Sequence, residues 1–124
     1  FDREENIRRI GEVAKLFLDA GVIVLTAFVS PFLLDREKAR SLVEKGDFLE
    51  IYCAADLKMC EQRDTKGLYA KARAGEIQDF TGISSPYEEP QNPELKIDTG
   101  LENLDVCVEQ IIKKLIILNI IPDR

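Results

Sequence analysis

One run of residues, Val22–Phe28 (VIVLTAF), limits what this chain can become. It is almost continuously apolar, rich in β-branched side chains, and stops at Val29-Ser30-Pro31. Such a run reads as a strand buried on both faces of a parallel sheet, where side chains of both pleats leave water. Helical and strand patterns alternate around it. The expected fold class is therefore α/β, a parallel sheet flanked by helices.

The remaining elements follow from spacing and punctuation. Asp2, with Glu5 three residues on, has the form of a capping box. Behind it Ile7, Ile10, Val13, Ala14 and Phe17 recur at helical spacing and predict one buried stripe, ended by Gly21. Asp35–Lys45 is expected as a second helix, capped by Asp35 and closed by Gly46. Phe48–Ala54 (FLEIYCA) is a second strand, and Asp56 caps a short helix that runs into Arg63. Glu94–Asp98 (ELKID) is a short final strand, and Leu104–Ile117 carries the apolar stripe of an amphipathic helix. Residues 1–124 are expected to form one domain with a modest core.

Composition enters mainly through what it excludes. No histidine occurs anywhere, which removes Ser-His and Cys-His nucleophilic catalysis and the common Cys/His zinc sets. Cys53, Cys60 and Cys107 form no CxxC pair and lie in apolar patterns, so each is expected to be a reduced, buried small hydrophobe. That fits a cytoplasmic location, or a plastid. A net charge of −6 without a basic face argues against nucleic-acid binding, and no apolar run is long enough to cross a bilayer. Any chemistry here must run on carboxylates, cations, backbone dipoles or a metal.

Between two apolar blocks lies Cys60–Pro90, polar and broken by Gly75, Gly82, Pro86 and Pro90. It carries Arg63, Lys66, Lys71 and Arg73, interleaved with Glu61, Asp64, Glu76 and Asp79. Long polar segments of this kind are commonly functional, and this one reads as a mobile lid laying positive charge over a phosphorylated ligand. A surface helix with solvated charges and a slack loop would give the same pattern.

Three stretches resemble one family. CEQRDTKGLYAKARAGEIQDFTGISSPYE resembles the lid of adenylylsulfate kinases, which phosphorylate the 3'-hydroxyl of adenosine 5'-phosphosulfate (APS). DREENIRRIGEVAKLF and FVSPFLLDREKAR resemble two further motifs of the same family, and the three occur in family order. The resemblance implies a P-loop kinase-like sheet and ATP-dependent formation of PAPS in sulfate assimilation, with MgATP as co-substrate and no metal held by the protein itself. It implies that Arg3, Asn6, Val29, Ser30, Lys66 and Phe80 bind the sulfonucleotide and that Arg63 lies by the ATP adenine. Ser30 is at most a weak catalytic candidate, since no evident base accompanies it. A homodimer and a fused or associated ATP sulfurylase are the partners the family implies, with no membrane or nucleic acid.

A kinase of this type needs a GxxxxGK[ST] loop whose backbone amides cradle the ATP phosphates. The glycines stand at 11, 21, 46, 67, 75, 82 and 100, so no two have that spacing. This stretch is therefore expected to be inactive alone and its sheet incomplete, with the loop supplied by a longer parent. The alternative is a non-catalytic, allosteric kinase-like domain of the type fused to some ATP sulfurylases.

Overall fold

The computed structural model describes residues 2–123, whose chain divides into two compact units. One unit is Phe1–Phe48 with Pro86–Pro90; the other is Leu49–Ser85 with Gln91–Arg124.

In the first unit, α1 spans Asp2–Asp19 and α2 spans Leu33–Arg40. Asp2, Glu4 and Glu5 place negative charge on the first turn of α1, where the helix dipole favours it. The expected capping box does not form as drawn: Asp2 is already helical, and Glu5 instead accepts from Arg8 Nε at 2.7 Å and Arg9 Nε at 2.8 Å. Two guanidinium donors outcompete one backbone amide for that carboxylate. The other end behaves as expected. Gly21 adopts φ 82°, and the Val22 and Gly21 amides donate back to the Phe17 and Leu18 carbonyls, a Schellman closure. Of the apolar stripe only Ile7 is buried, while Val13 and Phe17 stay exposed.

The second helix is shorter and earlier than Asp35–Lys45. Asp35 lies inside its first turn and is not the cap; the first amide, Leu33 N–H, is taken by the distant Glu88 carboxylate at 2.7 Å. At the far end Leu42 and Val43 donate to carbonyls three residues back, which tightens the helix into turns before Gly46 is reached. Helix α1 packs on α2. A Cβ on Gly11 would stand 2.6 Å from Leu42 Cδ1, so a side chain here would require that methyl to move aside.

The strand expected at Val22–Phe28 is absent. No residue of this run enters a ladder, and Val22 is 47% exposed, Leu25 84% and Phe28 55%. The physical reason is pairing: among the described residues no second strand lies alongside it, and an extended segment without a ladder partner is not a strand.

The second unit holds the parallel sheet. Strand β1 (Ile51–Ala54) pairs with β2 (Leu95–Asp98) in the register Ile51↔Leu95 through Ala54↔Asp98. The long crossover between them carries α3 (Leu57–Arg63) and α4 (Leu68–Arg73), as parallel pairing requires. The ladder starts where Glu50 N–H meets the Glu94 carboxylate at 2.6 Å and Leu95 N–H meets the Glu50 carbonyl at 3.2 Å. Phe48–Glu50 were expected in β1 but lie outside the paired register, which begins at Ile51↔Leu95. Ile97 on β2 is 1% exposed, and α5 (Leu104–Ile117) packs on that strand. Asn103 caps α5 by accepting from Val106 N–H at 2.9 Å, and Asn119 at φ 55° closes its far end. The α/β fold class with parallel strands and flanking helices is as expected. Of the cysteines, Cys107 is buried and Cys60 half-buried, but Cys53 is exposed, because one pleat face of β1 is uncovered at that position.

Candidate functional site

In the second unit one candidate residue, Arg63, is fixed where both strands end. Asp98 Oδ1 accepts from Gly100 and Leu101 N–H, folding the chain after β2 into a tight turn. Thr99 Oγ1 donates to the Ala54 carbonyl at 3.1 Å, which ties that turn to the end of β1. Gly100 fits closely against Ala55, whose Cβ would lie 3.5 Å from an added Cβ. Onto this platform α3 delivers Arg63, whose guanidinium donates to the Thr99 carbonyl at 2.6 Å and the Gly100 carbonyl at 3.2 Å. Asp56 caps α3 as expected, accepting from Met59 N–H at 2.7 Å. Carboxyl ends of parallel strands are where α/β sheets collect ligands, and a guanidinium fixed there presents a flat cationic face.

The lid segment is more ordered than a slack loop. Asp64 accepts from the Tyr69 and Ala70 amides at 3.1 and 3.0 Å and so caps α4 from outside the helix. Arg73 pairs with Glu61 at 2.6 Å. After α4, Gly75 at φ 78° lets the Glu76 amide reach back to the Lys71 carbonyl. Phe80 then becomes the centre of a knot: its carbonyl accepts from Ile83, Ser84 and Ser85 N–H, and its own N–H donates to Ser84 Oγ at 2.9 Å. Its ring stands edge-on to Tyr69, 5.0 Å between centroids and 74° between planes. Burial first, then the neighbouring Cys60 side chain, pushes the Tyr69 phenol above its ordinary value of 10.0. Lys66 lies in the turn between α3 and α4 with its side chain exposed.

The other expected residues belong to the first unit. Arg3 and Asn6 both project, exposed, from the start of α1. Val29 is exposed and Ser30 half-buried at the turn after the apolar run. The Ser30 carbonyl accepts from Arg36, a buried side chain that the sequence did not mark out. Among the described residues no group of three or more His, Cys, Asp or Glu side chains is placed to hold a metal.

Residues 1–98 match the family model for adenylylsulphate kinase. The chain belongs to that family. An adenylyl-sulfate kinase of Prochlorococcus marinus is 81% identical over 120 residues, covering 97% of this chain and 60% of its own length. A probable adenylyl-sulfate kinase of Bacillus subtilis is 62% identical over 112 residues, covering 90% of this chain and 57% of its own length. Among solved structures, the Mycobacterium tuberculosis APS kinase in complex with AMPPNP and APS superposes with a TM-score of 0.84 at 45% identity. That match covers 92% of this chain and 66% of the solved one. The chain thus spans 60% and 57% of the length of these two curated relatives. Tyr69, Asp64 and Arg36 are the residues sequence reading missed in it. Tyr69 and Asp64 had a local signal, lying within three residues of Gly67 in the lid, whereas Arg36 had none.

Proposed function

We propose that the parent protein is an adenylylsulfate kinase, transferring the γ-phosphoryl group of ATP to the 3'-hydroxyl of APS to give PAPS. The observation that carries this is the 81% identity to an adenylyl-sulfate kinase across nearly the whole chain, lid included. In this reading Arg3 grips the anionic end of APS and Asn6 adds a directional hydrogen bond at a helix start that favours anions. Val29, Ser30 and Lys66 line the same substrate, and the Phe80 ring stacks on its adenine. Arg63 lies flat on the ATP adenine, its plane set by the Thr99 and Gly100 carbonyls. MgATP is the co-substrate; the metal neutralises phosphate charge when bound, and this stretch contributes positioning and electrostatics. Residues 1–124 act as one part of that kinase domain, in a cytoplasmic protein that works as a homodimer.

The experiment is direct. Full-length protein with ATP and APS should yield a 3'-phosphorylated product, while residues 1–124 alone yield none. A full-length protein that binds both nucleotides without phosphoryl transfer would sink the kinase reading.

A further inference from the structure

Pro86–Pro90 belongs to the first unit although the chain on both sides of it belongs to the second, and its attachment is polar. Arg36 on α2 is 8% exposed; with Asp35 it makes up the buried charged side chains among the described residues. One terminal nitrogen of its guanidinium donates to the Ser30 carbonyl and the other to the Glu88 carbonyl, each at 2.5 Å. Glu88 is bound twice more. Its N–H donates to the Pro31 carbonyl at 2.8 Å, and its carboxylate accepts from Leu33 N–H at 2.7 Å. The Tyr87 ring lies 5.8 Å from the guanidinium carbon. Two segments far apart in sequence are thus strapped together by one side-chain fork and one residue's backbone and carboxylate.

An apolar side chain of similar size would fill this position without the desolvation cost of a guanidinium. What only the fork provides is geometry, since it fixes two carbonyls in one plane at a set separation. One of those carbonyls belongs to Ser30.

We propose that Arg36 and Glu88 are positioning residues for the sulfonucleotide: the strap holds the Val29–Pro31 turn in the shape that receives APS and leaves ATP binding untouched. This rests on the reading above that Val29 and Ser30 line the APS site. Arg36 touches no substrate; it acts through the Ser30 carbonyl.

The test uses full-length enzyme carrying Arg36→Lys, whose single ammonium cannot span both carbonyls. The KM for APS should rise about tenfold, the loss of one charge-assisted hydrogen bond, with the KM for ATP within about twofold and kcat at saturation retained. Amide exchange should show faster exchange in Arg36→Lys at Glu88 and Leu33 while α5 keeps its protection. An unchanged KM for APS in an active enzyme overturns the strap alone. So does a rise in both KM values together with a fall in Tm, which marks general loss of structure. A wild-type enzyme that cannot phosphorylate APS overturns the functional reading, and the positioning role with it.

Discussion

Val22–Phe28 and Ile51–Ala54 are both apolar and both lie in runs read as strands, the first as one buried in a parallel sheet, and only one of them is a strand. The longer and more apolar run is the one that fails. Ile51–Ala54 has Leu95–Asp98 beside it, residue for residue, with α5 on the strand it pairs with. Val22–Phe28 has no ladder partner among the described residues, and its side chains face water. Strand character is thus a property of a pair, and the chemistry of one segment states only a readiness to pair. The partner decides.

The contrast can be broken most directly by removing side chains from each region. Ile97→Ala should cost the 124-residue chain about 2–5 kcal/mol, because the lost methyl and methylene groups leave a void at the most enclosed point of the ladder. Leu25→Ala in the same chain should cost less than about 0.5 kcal/mol, as exposed substitutions do. Urea unfolding measures both, and equal losses would mean that Val22–Phe28 is paired after all.

A functional version of the contrast sets Phe80, held by Tyr69, beside Val29, which stands exposed. In full-length enzyme Phe80→Ala should weaken APS binding by about 1–3 kcal/mol, the range for a base stacked on an aromatic ring. Calorimetric titration reads it, and an unchanged Kd would remove Phe80 from the site. Tyr69→Leu, which keeps the ring's apolar support, should have a smaller effect on the same Kd.

Partners matter for short helices too. Asp64→Ala should cost about 1 kcal/mol, as loss of a helix cap does. The loss should appear as faster amide exchange at Tyr69 and Ala70, while Ile97, protected by the sheet, is unaffected.

Smallest of all is the effect of partners that remain in water. The Arg8 and Arg9 guanidinium groups hold the Glu5 carboxyl down at about 2 from an ordinary 4.5. Because the folded value is depressed, the contribution is present above about 4.5 and is lost as pH falls towards about 2. An NMR titration of the Glu5 carboxyl should therefore have its midpoint near 2, whereas Glu5→Gln should change stability little at ordinary salt. A midpoint near 4.5 would mean that the two ion pairs do not persist in solution.

Sequence reading succeeded where signals were local. The Asp56 cap, the Gly21 closure and the Leu104–Ile117 helix each depend on residues within a few positions of one another. It failed where the deciding group was remote. Helix α2 begins at Leu33 because Glu88 reaches its first amide, and no spacing near Leu33 announces Glu88. Arg36 looked like one charge among several in LLDREKAR, yet its fork joins Ser30 to Glu88. Cys53 sat in an apolar run, but among the described residues nothing covers its pleat face. For the candidate site, resemblance supplied the residues and the structure supplied their anchoring: Arg63 by two carbonyls, Phe80 by a turn and a tyrosine.

The division of the chain has a consequence for how such a protein can be cut or recombined. Between Phe48 and Leu49, Ser85 and Pro86, and Pro90 and Gln91, the backbone passes from one unit to the other. A protease that nicks one of these junctions leaves the halves joined by the others, and so does a nick at a second. Nor can a gene-level crossover at one point exchange one unit for that of a relative, because the Pro86–Pro90 insert would arrive with the wrong partner for Arg36. Two units by contact, they are bound to travel as one heritable block.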